Sequence, residues 1–518
     1  MCGGPLPVHS TAGIDSLAGR IIDSIVIDNR NIYDLEDPDV GRPLYRIANR
    51  LHSTTKVGIV RRELLFHKGD TLKPEALEET ARNLRTRLPL NDSWVEIESL
   101  DGDRVLVKVI TVDQWSLFGG LRSLNRDDGR VNFNVGVEER NLLGRAQFLS
   151  FDYYGKEEQP DYIATEFREP RVFSRALALK VSYRSNPYDL SRSVSFGRPF
   201  YNRSQRTSFE IVGATASARQ LRFNVYGDTL SRWETRSDLL LANVRYRRGP
   251  YHSKTTFISE YAYVHQPIGD TIRYDPHWVG FFPKDSTYHQ MNVGVAFNIE
   301  YFTVEHRLNG FSYNEDITLG LWAETRYGRA FSTDFDDHLY DYVSLQTGGA
   351  WKLGTTLVRT DYWRAFWYKK ALDRRRVSQF TVTLYNNALT WVTAALRSYY
   401  AADRGDDANR LLLGGKAGLR GYSSEISSGD RLHIINLESR FFTGLEVLSV
   451  KIGGAAFVDA GRTWQKGEAV TFDRYLVSRG LGLRLSFENL TRVGLVRIDW
   501  AHTRYGQNEL VIGTDQYF

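Results

Sequence analysis

From about residue 130 to residue 518 the chain repeats one pattern, an apolar residue at every second position. Val131, Phe133, Val135 and Val137 alternate with Asn132, Asn134, Gly136 and Glu138. Val293, Val295, Phe297 and Ile299 alternate with Asn292, Gly294, Ala296 and Asn298, and Leu481, Leu483, Leu485 and Phe487 with Gly482, Arg484, Ser486 and Glu488. Successive side chains of a strand point to opposite faces, so each stretch makes a strand with one apolar and one polar face. A soluble sandwich shows the same alternation. Strands of about 9–12 residues, repeated over this length without a helix between them, fit instead an antiparallel barrel whose apolar face meets lipid. Closing the sheet also removes the unpaired edges through which it would aggregate.

Composition supports that reading. Of 518 residues, 13% are aromatic, with 29 Tyr and 11 Trp, yet mean hydropathy is −0.39. No run of about 18 apolar residues exists to make a membrane helix. Alternating strands average out in this way. The single cysteine, Cys2, excludes an intrachain disulfide. Residues 1–16 lack a basic start and an apolar core, so the numbered chain is expected to start at or near a mature end, with residues 1–19 a bland tail rather than a lipid-attachment site. A net charge of +5 is small for this size and gives no case for nucleic acid.

Residues 20–113 have a different character. Ile21-Ile22-Asp23-Ser24-Ile25-Val26-Ile27 predicts a strand; an irregular polar insert follows at about 34–55; Lys56 to Phe66 has helical spacing through Val57, Val60 and Leu64. Pro74 opens a second helix where its missing N–H costs nothing, with Leu77, Ala81, Leu84 and Leu88 as one apolar stripe. Two strands close the unit, one around Trp94 and Ile97 and one over Val105–Ile110, joined by Asp101-Gly102. Arg82, Arg85 and Arg87 are expected on a solvated helix face, with a client or lipid surface as the alternative. Residues 114–130, with Gly119-Gly120, are expected to be a hinge-like linker. The order β-α-α-β-β, with Arg62-Glu63-Leu64-Leu65-Phe66-His67-Lys68-Gly69-Asp70 before the second helix, resembles a POTRA domain. The resemblance implies a periplasmic module that receives unfolded chains by adding a strand to a sheet edge.

One Gly-rich stretch stands apart, Leu411 to Tyr422, ending Gly418-Leu419-Arg420-Gly421-Tyr422. An arginine at such a loop tip, held away from water, needs acceptors for a rigid five-donor fork. The best candidate lies in Phe457-Val458-Asp459-Ala460-Gly461, with Glu438 as a second acid. The pairing of Gly-Leu-Arg-Gly-Tyr with a downstream Phe-x-Asp-x-Gly resembles the signature of the BamA/TamA-type outer-membrane insertase superfamily, the bacterial surface antigen family.

The resemblance implies a mainly β fold: a transmembrane antiparallel barrel of about 16 strands over 131–518, with one N-terminal POTRA domain and an inward-folded loop at about 402–430. It places Arg420 against Phe457 and Asp459, with Glu438 and Gly461 close. Surplus candidate strands become hairpins above the membrane, and Gly269-Asp270-Thr271, Asp334–Asp337 and Ala402–Asp407 the outer connections. The barrel closes between a first strand at about 131–139 and a last at about 510–518, so Val131, Phe133, Val135 and Gly136 on one side and Ile512, Gly513 and Phe518 on the other form a lateral gate. The last strand ends on an aromatic that the assembly machinery reads; Leu510, Ile512, Thr514 and Phe518 fit the spacing and Gln516 departs from it.

Catalytic chemistry finds no support. The 11 histidines are scattered without a zinc spacing, Gly480-Leu481-Gly482 opens no helix, and Glu138-Glu139 point to opposite faces of a strand. No metal, cofactor or enzyme activity is expected. The function implied is insertion or assembly of outer-membrane proteins by a monomeric barrel, with outer-membrane lipids, unfolded clients and accessory assembly subunits as partners. A polypeptide translocation pore of the two-partner secretion type is the alternative, and a passive porin a more distant one.

Overall fold

The computed structural model describes residues 6–7, 17–36, 43–99, 102–127, 130–156, 159–185, 190–223, 229–273, 285–311, 313–335, 337–369, 372–405, 411–415, 418–422, 426–447, 450–487 and 494–518. Cys2 lies outside them. The chain is mainly β, with a small N-terminal α/β unit followed by one large antiparallel sheet.

The N-terminal unit comprises β1 (Leu6–Pro7), β2 (Ile21–Arg30), α1 (Pro43–Leu51), α2 (Val57–Glu63), α3 (Pro74–Arg87), β3 (Leu90–Ser99) and β4 (Arg104–Asp113), in a sheet of order β1-β3-β4-β2. The stripe Leu77, Ala81, Leu84 and Leu88 is buried against Val95, Ile97, Val105, Val107 and Val109, the packing that period-3.6 and period-2 apolar faces dictate. Two expectations need correction. The supposed insert contains α1, whose Tyr45 packs with Ile32 and Tyr33 in a second small cluster flanked by Trp115. The first predicted helix is also shorter, ending at Glu63 rather than running to Phe66.

The supposed linker is largely a strand. Leu117–Asp127 pairs antiparallel with Arg130–Leu142, including Gly120 opposite Gly136. Local glycines suggested a hinge, but a neighbouring strand supplies the hydrogen-bond partners and overrides that preference. Strands then follow one another as an antiparallel meander to Asn508–Thr514. Among the described residues twenty strands run round the sheet, with Ile268–Arg273 a short side strand on Thr229–Arg248, so the expected count of about sixteen is too low. Val131, Phe133, Val135 and Gly136 therefore lie on the second strand, the last three with partners on both sides.

The two ends of the sheet meet unequally. Asn508–Thr514 pairs with Leu495–Thr503 continuously from Val496↔Thr514 to His502↔Asn508. On its other side, among the described residues, one register pair, Ile512↔Leu124, joins it to Leu117–Asp127.

The wall is inverted relative to a soluble protein. Val135, Val137, Phe151, Val293, Val295, Phe297, Leu481, Leu483 and Trp500 are exposed, whereas Asn134, Glu138, Asn292, Asn436, Glu438, Arg484 and Asp499 are buried. Polar residues of the alternation thus face the interior.

The N-terminal unit sits against one end of the sheet, where the connections are short. α3 lies along it. Arg85 forms a two-pronged pair with Asp316, Nη2 to Oδ1 at 2.6 Å and Nε to Oδ2 at 2.9 Å. Arg87 donates to the carbonyl of Phe200 at 2.9 Å, and the Arg82 guanidinium stacks over Phe302, 3.4 Å from its centroid. Glu63 is bridged doubly by Arg171 at 2.6 and 2.7 Å, and Glu79 accepts from the main-chain N–H of Arg203. The three helix arginines, expected to face solvent, are docking residues. Burial by itself lowers the affinity of Arg85 for its proton, and the Asp316 carboxylate reverses this, raising it above the usual arginine range.

Candidate functional site: a buried arginine and the segments that fill the interior

A short hairpin, Leu411–Leu413 with Ser427–Gly429, carries the Gly-rich stretch inward between Val392–Arg404 and Arg431–Val447. Its tip turns at Gly418 (φ +110°) and Gly421 (φ +83°), a region that side chains rarely adopt. Leu413, Leu419 and Tyr422 pack on Ala401, Leu432 and Ile434 of the wall, and the Tyr422 hydroxyl donates to the carbonyl of Val477 at 2.9 Å. The loop is anchored before its charge is placed. Residues 416–417 and 423–425 of it lie outside the described residues.

Arg420 is 1% exposed. Its Nε donates to Asp459 Oδ2 at 2.7 Å and Nη2 to Oδ1 at 3.0 Å, while its main-chain N–H also reaches Oδ2, at 3.3 Å. Nη1 donates to Glu438 Oε2 at 2.7 Å and Asp499 Oδ2 at 3.3 Å. The guanidinium lies flat between two rings, 3.5 Å from the centroid of Phe457 and 4.1 Å from that of Tyr517. Burial lowers the proton affinity of Arg420, but Asp459, followed by Glu438 and Asp499, more than offsets it, and the net shift is upward. The fork is a fixed cation with every direction occupied.

Phe457 needs room to lie there. A Cβ on Gly480 would come within 2.4 Å of its ring, so glycine at 480 makes the arginine's platform possible. Gly461 is likewise covered by Leu413 of the loop.

The remaining members of the cluster were not picked out from sequence. Arg440 Nε donates to Glu438 Oε1 at 3.0 Å; Arg484 Nη1 donates to Asp499 Oδ1 at 2.6 Å and Nη2 to Glu438 Oε2 at 3.5 Å; Arg497 Nη1 reaches Asp499 Oδ2 at 2.8 Å. Asn436 bridges Asp459 Oδ1 and the carbonyl of Gly418 at 2.8 and 2.7 Å. Their signal was parity. Each stands at a polar position of an alternating strand, the face that the pattern turns inward.

The tail departs from expectation. The last strand stops at Thr514, Asp515 takes a left-handed φ of +63°, and Gln516-Tyr517-Phe518 turn into the interior instead of extending the strand. Tyr517 donates its hydroxyl to the carbonyl of Gly415 at 2.8 Å. Gln516 accepts from Arg484 Nε at 3.0 Å and donates to the carbonyl of Asn309 at 3.1 Å, and Arg440 Nη2 donates to the main-chain oxygen of Phe518 at 2.7 Å. The turn around Asn309 enters from the other end, where Arg440 also holds the carbonyl of Leu308. Loop, tail and turn meet inside the sheet. Of the expected gate residues, Ile512 lies at the seam, Gly513 packs under Arg497, and Phe518 belongs to the interior cluster.

No family model matches the chain, and no curated protein sequence matches it. Among solved structures it is similar to BamA from Haemophilus ducreyi lacking POTRA domains 1–3, at 10% identity and a TM-score of 0.41, over 95% of this chain and 85% of that one. It is also similar to CdiB from Acinetobacter baumannii (13% identity, TM-score 0.44, 96% of this chain and 74% of that one) and CdiB from Escherichia coli (11%, 0.44, 99% and 80%).

Proposed function

We propose that this protein is an outer-membrane β-barrel of the BamA/TamA type, which accepts unfolded client polypeptides at its N-terminal α/β unit and releases them into the membrane between its first and last strands. The inverted wall supports the membrane setting, because exposed Val, Phe and Leu beside a charged interior are stable only where the outside is apolar. The order of the N-terminal unit supports its reading as a single periplasmic POTRA-type domain, with β2 at an edge of its sheet open to strand addition. An interior occupied by loop, tail and turn argues against a passive pore. Lipids and client chains are the partners this implies, and accessory assembly subunits would extend the same machinery.

The observation that carries the proposal is the seam. In hydrocarbon each unpaired backbone group costs several kcal/mol, so a spanning sheet normally pairs every edge. Among the described residues Ile512↔Leu124 is the one register pair between the end strands. The arrangement suits a wall that opens sideways and offers a template edge to an incoming strand.

The test uses that pair. With Cys2 replaced by Ser, a Leu124→Cys/Ile512→Cys variant should form a disulfide that blocks insertion of clients into proteoliposomes, and reductant should restore it. Full insertion by the oxidised protein would exclude lateral opening. Export of a soluble polypeptide through the locked barrel would favour the translocation pore instead.

A further inference from the structure

The strands leading up to the seam, Arg431–Val447, Val450–Trp464, Leu476–Ser486, Leu495–Thr503 and Asn508–Thr514, turn an almost wholly apolar face outward. Their register sorts that face into rows. Ser439, Ala456, Leu481, Trp500 and Leu510 stand opposite one another in turn, and the row beneath, from Phe441 through Gly454, Leu483 and Ile498, ends on Ile512 at the seam. The row above differs, because it runs Leu437, Val458, Arg479, His502 and Asn508. Leu437, Val458, Leu481 and Trp500 are exposed, whereas their strand neighbours Glu438, Asp459 and Asp499 are buried. Parity therefore places Arg479 and His502 on the outer face, and Arg479 is itself exposed.

A cation on the face that meets lipid is unfavourable unless something neutralises it. None of the three rows holds a carboxylate, so the counter-charge must come from outside the chain. His502 stands directly opposite Arg479, and its Nδ1 is engaged by the amide oxygen of Asn508 at 2.9 Å, which leaves Nε2 to meet a ligand. In the next row the small side chains of Ser439 and Ala456 sink a groove of about 630 Å³ between Leu437, Val458, Leu481 and Trp500, with Arg479 and His502 along its rim. From Ser486 to Arg479 the wall rises about 18 Å, at about 3.4 Å per residue and a tilt of about 40°. The long arginine stem carries its charge further, toward the edge of an apolar band about 25 Å tall. A basic rim above an apolar trough is the outline of an amphiphile with an acidic head.

We propose that this groove holds one anionic phospholipid of the leaflet farther from the N-terminal unit, its phosphate on Arg479 and His502 and one acyl chain along the trough. The site rests on the membrane setting proposed above and not on client handling. A free phosphate would leave the trough empty, and a zwitterionic lipid would bring a second cation to Arg479, so both a chain and a net negative charge are required. Trp500 lies opposite Leu510, which sets the bound lipid against the last strand.

The experiment is native mass spectrometry of the intact protein released from detergent micelles doped with dioleoylphosphatidylglycerol. One copy should be retained saturably, at least fivefold more than dioleoylphosphatidylethanolamine at the same mole fraction. Arg479→Gln should cut retention at least fivefold. Ala456→Leu, which fills the trough and leaves both basic residues in place, should do the same, and inorganic phosphate at equal concentration should displace nothing. Heat-modifiable migration on gels checks that each variant folds, and either one carries the comparison alone. Equal retention of the two lipids, retention of neither, retention unchanged in a folded variant, or displacement by inorganic phosphate overturns the proposal. Protein that stays dispersed without detergent would sink the membrane setting itself. Lipid retention by a protein that inserts no clients would sink the proposed function and leave the site standing; insertion without selective retention would do the reverse.

Discussion

Arg420 shows what a single residue can be asked to do. Two oxygens of Asp459 and one of Glu438 take the three edges of its fork, and rings cover both faces. A lysine offers one point charge and no plane, so Arg420→Lys should behave nearly as badly as Arg420→Ala. Breaking a buried pair costs about 3–5 kcal/mol because it strands the partner's charge. Arg420→Ala and Asp459→Ala should therefore each lower the urea midpoint of the folded protein substantially, and the double variant should lie within about 1 kcal/mol of the worse single one. Additive losses would remove the coupling. This pair was legible in the sequence because glycines mark the loop and one acid stands in a Phe-x-Asp-x-Gly stretch downstream. Asp499, Arg440, Arg484 and Arg497 escaped because nothing local distinguishes them from other inward polar residues; their meeting is decided by register between distant strands.

Among the elements, α3 is the one whose sequence misled most instructively. Its apolar stripe was plain, since period 3.6 survives in any environment. Its arginines, on the other face, were read as solvated because sequence shows no partner for them: Asp316 stands 231 residues away. Arg85→Glu should loosen the N-terminal unit from the barrel, seen as faster proteolytic cleavage near residues 114–116, and adding Asp316→Arg should restore protection. Failure of the swap to restore it would mean that Arg85 serves α3 and not the docking. The Leu117–Asp127 strand was missed for the opposite reason. Gly119-Gly120 argued locally for a hinge, while its long-range pairing with Arg130–Leu142 decided the outcome.

At the scale of the whole molecule, alternation announced the large antiparallel sheet but not the number of its strands, because period two looks the same on a spanning strand, an overhang or a hairpin split by one turn. Nor does it say what fills the interior. With loop, tail and turn in place, the reconstituted protein should show little steady conductance in planar bilayers, and removing residues 414–426 should raise it several-fold. Large steady currents from the intact chain would instead identify a passive pore.

The brevity of the final strand carries a consequence for the surrounding lipid. Seven residues, Asn508–Thr514, extend about 24 Å at most and less once tilted, against an apolar band of about 25 Å for barrels of this kind. Where the tail bends away, the acyl chains abutting the wall find too little height to lie against and must shorten or splay. In the membrane setting proposed here, the bilayer is thinnest and least ordered beside the one place where the wall is weakest, which lowers the barrier to a strand leaving the protein for the lipid.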